Sequence, residues 1–266
     1  MATQEDPFNP SNVILQETDV KALLSIYGLD IPINNVNTYR TALVHKSYCT
    51  RKNENFIQGN LMCPENCLPL QEESNERVEF LGDAVINLIV GKYLFERYPD
   101  ENEGFLTKLR TKLVNGNMLA TFCETLNLRR FIQISKQIEE NNGRCNRKIL
   151  EDSFEAFIGA IFIDSKSFDC CETWLINLIE ENVDFSELIA INTNYKDTFL
   201  KYMQHNFNYI PKFCEISSNN TNAGKVYTVC IKDKNDAVLS TGVGGTKKLA
   251  ENDAAKEALR YFGQVV

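Results

Sequence analysis

The sequence predicts an α + (α+β) architecture: an all-helical domain over residues 18–185, then a small domain of order α-β-β-β-α over residues 195–264. Three observations predict it. Up to residue 185 each long apolar pattern repeats with helical spacing. From residue 195 one helical stretch is followed by three alternating runs and a second helix. The charge balance changes in the same place: residues 194–266 carry 10 Lys/Arg against 7 Asp/Glu, a net of +3, which leaves 18 against 29, a net of −11, for residues 1–193 of a chain whose total is −8. Residues 1–17 lack periodicity and read as a flexible lead, and residues 186–194 read as a linker.

The 266 residues, 43% hydrophobic and 10% aromatic, suit globular domains rather than a disordered chain. No apolar run approaches the roughly 18 residues of a membrane span, so no membrane partner is expected. The opening MATQEDPFNP is acidic and polar, unlike a secretory signal or an Arg-rich transit peptide. Nine cysteines form no regular framework, and Cys123, Cys170 and Cys230 fall in apolar-periodic stretches. Reduced thiols, and hence a cytoplasmic, intracellular location, are the expectation. Cys63 and Cys67 flank a Pro-Glu-Asn turn in the manner of half a zinc site, but the sequence holds only His45 and His205 besides and shows no second pair.

Along the chain, residues 20–29 form a short helix ending at Gly28, and residues 41–48, TALVHKSY, a second, with His45 read as a scaffold histidine. Residues 49–74 are polar, Asn-rich and carry two prolines; they form a surface loop or a substrate-touching one. Residues 75–98 follow, with Val78, Leu81, Val85, Leu88, Ile89 and Leu94 spread over a broad face suited to burial. Tyr98-Pro99-Asp100 stops that helix. Helical patterns return at 103–114, 118–126, 149–164 and 168–181, the last with Trp174, Leu175 and Leu178 as core.

Carboxylates interrupt two of these helices. Glu79 and Asp83 are four apart, about 40° from each other around a helix. Alone, such a pair is an ordinary solvated edge. Asp152 and Glu155 make a second pair, three apart, beside Phe154, Phe157, Ile158, Ile161 and Phe162. Carboxylates beside so apolar a helix carry a desolvation cost unless something positive sits among them. Packed face to face, with Gly82, Ala84, Ala156, Gly159 and Ala160 permitting close approach, the two helices make a cluster of four oxygen ligands. A hard divalent cation such as Mg²⁺ suits that set. An acidic chain is compatible with a polyphosphate substrate, because bound cations reverse the local potential. No Ser/His or Cys/His nucleophile constellation stands out.

ERVEFLGD, residues 76–83, resembles the signature octapeptide of the ribonuclease III family, and EDSFEAFIGAIFID, residues 151–164, resembles its second acidic helix. TALVHKSY and GFLTKLRTKLV (residues 104–114) match the family's order as well. Against bacterial members, residues 49–74 look like an insertion in the catalytic domain. The resemblance implies an endoribonuclease that cleaves double-stranded RNA by metal-dependent phosphodiester hydrolysis. Glu79, Asp83, Asp152 and Glu155 would hold Mg²⁺, with Mn²⁺ as a substitute, and no small-molecule cofactor would take part. It also implies accessory roles near the cleavage face for Glu76 and Glu103, and a homodimer in which each subunit cuts one strand. Phe80 matches an aromatic position that family members insert into a pocket on the partner; otherwise it is an ordinary core phenylalanine.

The C-terminal pattern, a helix at 195–205, strands at 212–217, 225–232 and 237–242 and a helix at 247–261, resembles a double-stranded RNA-binding domain, most closely in TKKLAENDAAKEAL (residues 246–259). This is the bacterial and viral type of arrangement, one catalytic domain and one RNA-binding domain. Lys247 and Lys248, at a helix start after Gly244-Gly245, suit duplex phosphates, since ammonium groups and free N–H groups point the same way. The loop SSNNTNAG, residues 217–224, departs from the family by lacking a Gly-Pro-x-His run; Asn222 is the candidate to reach a 2′-hydroxyl instead. The alternative function is a protein that binds and sequesters double-stranded RNA, such as a suppressor of RNA silencing, with cleavage secondary or absent. All four carboxylate positions are filled, which favours the nuclease.

Overall fold

The structure, a computed structural model, describes residues 6–50, 62–190, 195–221 and 224–264. The chain divides into two compact units between Leu188 and Ile189. The first is helical: α1 (Glu17–Ile26), α2 (Val36–Ala42), α3 (Glu76–Arg97), α4 (Glu103–Leu113), α5 (Gly116–Thr125), α6 (Lys136–Glu140), α7 (Arg147–Ser165), α8 (Phe168–Asn182) and α9 (Phe185–Ala190), with short 3-10 turns between some of them.

At the centre lies α7. Leu150, Phe154, Phe157, Ile158 and Ile161 are all buried, so this helix is apolar nearly all round and packs on α2, α3, α5 and α8. Phe157 stands between Tyr39 and Trp174, with ring centroids 5.8 and 5.7 Å away. The Trp174 indole N–H donates to the Leu23 carbonyl at 3.1 Å, so α8 and α1 are joined where a buried donor needs a partner. Asn146 caps α7 by accepting from the Lys148 N–H at 2.9 Å.

Two segments differ from expectation. Residues 6–16 are packed rather than loose: Phe8, Asn9, Asn12 and Leu15 are buried. The Asn12 amide donates to the Ile134 carbonyl at 3.0 Å and accepts from the Ile134 N–H at 3.1 Å, a one-residue imitation of strand pairing. Side-chain amides pin this lead, so it has no periodicity to read. The linker expected from residue 186 begins as a helix, α9. Phe185 is buried against Tyr93 and the Arg97 guanidinium, 4.4 Å from its ring centroid, and that anchor carries helix past the expected end of the domain. At the start of the 49–74 insertion the chain is tied down: Thr50 N–H donates to the Gln71 carbonyl at 2.8 Å, and Tyr48 hydroxyl to that of Leu68 at 2.6 Å. Its residues 51–61 lie outside the described residues. His45 accepts from the Ser47 N–H at 3.2 Å and caps the turn at Lys46–Tyr48, a scaffold part.

The second unit runs α10 (Tyr195–Phe207), β1 (Lys212–Thr221), β2 (Gly224–Lys232), β3 (Val238–Gly244) and α11 (Lys247–Tyr261), the α-β-β-β-α order. The sheet is antiparallel, β1-β2-β3, with Phe199, Met203, Ile231, Ala254, Ala255, Ala258 and Leu259 as its core. Close packing of α11 on β3 depends on Gly242, where a Cβ would stand 2.1 Å from the Ala254 nitrogen. Strand β1 is longer than its sequence indicates. Ser217 to Asn220, expected as loop, pair with Thr228 to Lys225 after a bulge near Ile216. Ladder pairing outweighs the low strand propensity of Ser and Asn.

Candidate active site

Glycines set the geometry where α3 crosses α7. A Cβ on Gly82 would lie 1.8 Å from the Glu155 carbonyl oxygen, and one on Gly159 2.3 Å from that of Val78, so the backbones touch as only glycine permits. Glu79, one turn before Gly82, is thereby set against Glu155 and Asp152, one and two turns before Gly159. Carboxylate oxygens of Glu79, Asp152 and Glu155 lie within 4.8 Å of one another.

Asp83 is not part of that trio. It is exposed, and its Oδ1 accepts from the Asn87 amide at 2.8 Å. One turn along α3 from Glu79 it finds a neutral donor on the exposed side of the helix. It still lines the same open cavity of about 500 Å³, together with Glu76, Glu79, Phe80, Lys148, Glu151 and Glu155. Glu76 is exposed and held by Lys46 at 3.1 Å, and that hydrogen bond keeps its carboxyl below the usual range. Glu103, in the first turn of α4, is exposed, accepts from the Thr107 hydroxyl at 2.9 Å, and does not line the cavity.

Crowding dominates the electrostatics. Glu155 is only 6% exposed; burial, then the charges of Asp83 and Glu151, push its carboxyl up to about 8. Burial, then the charge of Asp152, push Glu79 up to about 7. The counter-charge is Lys148, whose Nζ lies 2.7 Å from Asp152 Oδ1 and 3.5 Å from Glu151 Oε1. Burial opposes the Lys148 ammonium, but Asp152, Glu151 and Glu155 outweigh it and raise its pKa. Sequence reading passed over Lys148 and Glu151, although a lysine four residues before Asp152 was a legible helix pair. An all-oxygen donor set of this spacing, in which Glu79 and Glu155 resist ionisation, fits a hard divalent cation. Among the described residues no other group of three Asp, Glu, Cys or His side chains converges this way, at Cys63 and Cys67 or elsewhere.

Helix α3 also carries an uncovered apolar stripe. Phe80 is 81% exposed, Leu88 61% and Phe95 70%. With the exposed Ala84 they fall within about 80° of the helix circumference. Phe80 is thus no core residue, and Leu88 departs from the buried face expected for it. Beside the stripe a second cavity has Val78, Leu81 and Ile163 on its apolar side and Glu73, Ser74, Glu76 and Arg77 on its polar side.

In the second unit Lys247 and Lys248 begin α11, capped by the Thr246 hydroxyl accepting from the Leu249 N–H at 3.2 Å. Lys247 Nζ lies 3.6 Å from Glu215 Oε2. Asn222 lies outside the described residues.

Residues 76–166 match the family model of the ribonuclease III domain, and residues 195–262 that of the double-stranded RNA binding motif. Ribonuclease 3 of Streptococcus pyogenes serotype M5 is 35% identical over 238 residues, 90% of this chain and 96% of that protein. A probable ribonuclease 3 of Acanthamoeba polyphaga mimivirus is 32% identical over 257 residues, 96% of this chain, which spans 47% of that longer protein. The nuclease domain of ribonuclease III from Campylobacter jejuni superposes with a TM-score of 0.51 at 34% identity, covering 64% of this chain and 100% of that one. A second structure of the same domain, described for flexibility in a region involved in dimer formation, gives 0.50 at 36% identity, over 62% of this chain and 96% of its own. Near-full-length similarity to the streptococcal enzyme and a family match in each unit lead to one conclusion: the chain belongs to the ribonuclease III family, as a ribonuclease III-type endoribonuclease with a double-stranded RNA-binding domain.

Proposed function

We propose that this endoribonuclease cleaves double-stranded RNA with Mg²⁺, or Mn²⁺ in its place, held by Glu79, Asp152 and Glu155, with Asp83 completing the set from the cavity rim. The convergence of three carboxylates on the α3–α7 crossing carries the reading. When bound, such a cation stabilises negative charge on a phosphodiester under attack and acidifies water. The chain's own residues fix the ligand positions through the glycine crossing, keep Glu155 largely shielded from water, and keep Lys148 at the edge of the cavity as a positive group near the RNA backbone. No side-chain nucleophile is required. Glu76 lies on the cavity wall as an accessory group, and Glu103 stands outside that cavity.

The working form is a homodimer, each subunit cutting one strand. The exposed stripe of Phe80, Ala84, Leu88 and Phe95 is apolar surface that a second copy would cover, and the cavity beside Leu81 and Ile163 is the socket for the partner's aromatic ring. The second unit adds phosphate contacts through Lys247 and Lys248, with duplex chosen by A-form shape. A cytoplasmic, reducing setting suits its nine free cysteines.

The test is incubation of the full chain with long labelled duplex RNA, with Mg²⁺ and with EDTA, beside Asp152→Asn. Short duplex products formed only by the wild-type protein with metal support the reading. Intact RNA that nevertheless shifts on a native gel would replace it with the sequestering role.

A further inference from the structure

Glu151 stands beside the carboxylate trio without joining it. Its carboxylate occupies space that only a glycine leaves open at the first residue of α5: a Cβ on Gly116 would lie 2.4 Å from Glu151 Oε2 and 2.9 Å from Oε1. The start of a ten-residue helix, with its partial positive charge, is a favourable seat for an anion. From that seat Glu151 Oε1 is 3.5 Å from the Lys148 ammonium, which itself sits 2.7 Å from Asp152 Oδ1.

A divalent cation and an ammonium group compete for the same Asp152 carboxylate, and two positive charges there repel. Cation entry therefore requires Lys148 to withdraw. Lys148 is well exposed along its length, so rotation near the end of its side chain suffices, and Glu151 is the acceptor already within reach. Without that acceptor the ammonium would exchange Asp152 for solvent alone and would resist displacement.

We propose that Glu151 is a positioning residue: its carboxylate receives the Lys148 ammonium when a divalent cation takes Asp152. This rests on the metal reading of the trio. It gives Lys148 two stations, one in the metal-free protein and one in the metal-loaded protein, and it assigns to Gly116 the task of leaving room for the second.

The test is Mn²⁺ binding to the full chain, read by the electron paramagnetic resonance signal of free Mn²⁺, for wild type, Glu151→Gln, Lys148→Met and the double variant. Thermal melting of each protein without metal serves as the folding control. Glu151→Gln is expected to weaken Mn²⁺ binding about five-fold, the upper end for a half-exposed ion pair. Lys148→Met is expected to tighten it about ten-fold by removing the competing charge. In the Lys148→Met background the effect of Glu151→Gln is expected to fall below about two-fold, since there is no ammonium left to receive. An equal loss in both backgrounds would mean that Glu151 acts by its own charge, and would overturn the proposal while leaving the metal reading intact. Failure of the wild-type protein to bind Mn²⁺ would overturn the metal reading and this proposal together.

Discussion

Gly82 and Gly159 face each other at the crossing of α3 and α7, each lying where a side chain would strike the other helix's backbone. The two glycines are one turn beyond Glu79 and Glu155 respectively, so the contact that holds the fold together also fixes the spacing of the carboxylates. Packing and chemistry share one joint.

That joint makes a sharp prediction about two glycines on one helix. Gly82→Ala forces backbone apart from backbone, because its first obstacle is the Glu155 carbonyl at 1.8 Å. It should destabilise the helical unit by about 3 kcal/mol. Gly91→Ala meets nothing nearer than an Arg110 side-chain nitrogen at 3.9 Å, and should stabilise by about 0.5–1 kcal/mol through helix propensity. Urea unfolding of both variants measures the contrast; equal effects would contradict the tight crossing.

The raised carboxyls make stability and metal binding depend on pH in opposite senses. Folded Glu79 and Glu155 titrate at about 7 and about 8, against 4.5 for the ordinary carboxyl, so between these values the folded state holds more protons than the unfolded one. Their contribution to stability is complete below about pH 4.5 and is lost as pH rises through 7 to 8. The metal-free protein should therefore melt at a lower temperature at pH 9 than at pH 6. Divalent cations bind the ionised form, so Mn²⁺ affinity should rise over the same window with proton release. Melting curves at the two pH values, with EDTA and with Mn²⁺, check both signs. Glu155→Gln should flatten the metal-free dependence.

Much of this was legible in the sequence, and the rest was hidden for physical reasons. Helix periods placed α3 and α7, and the carboxylate spacings on them marked the site, because both follow from residues three and four apart. Lys148 is legible as an i,i+4 partner of Asp152 on the same helix, whereas the place of Glu151 depends on the neighbouring helix, where the missing Cβ of Gly116 leaves room for its carboxylate. Asp83 reads as an equal member of a quartet, yet Asn87, also four residues away, offers it a hydrogen bond on the rim. Leu88 has the period of a core residue, but period alone cannot tell a face that packs within the chain from one left for another molecule. The lead at 6–16 gave no signal because Asn9 and Asn12 hold it through side-chain amides.

The apolar stripe on α3 predicts the effect of one substitution on assembly. Phe80→Ala removes the most exposed ring of the stripe and touches little of the subunit's own core. It should raise the dimer dissociation constant about thirty-fold, the effect of losing about 2 kcal/mol at an interface anchor. Sedimentation over a range of concentrations measures it, with the melting of a separately prepared dilute sample as the control for folding. A wild-type protein that sediments as a monomer at all concentrations would refute the homodimer.

RNA affinity offers a test that separates charge from chemistry. Lys247 is already shared with Glu215 in the free protein, whereas among the described residues Lys248 makes no ion pair. Lysines that meet phosphates act by releasing counterions, so their loss lowers the steepness with which binding weakens in salt. Lys248→Ala should reduce that slope by about 1 and weaken duplex binding uniformly across sequences. Lys247→Ala should lower the slope by less, because the ammonium it loses is already partly neutralised by Glu215 in the free protein. Asp152→Asn, by contrast, should leave the slope in metal-free buffer nearly unchanged while abolishing cleavage in Mg²⁺. Gel-shift titrations at several salt concentrations distinguish the three. If the lysine variants keep the wild-type slope, α11 does not meet the phosphates, and RNA recognition must lie on another face of the second unit.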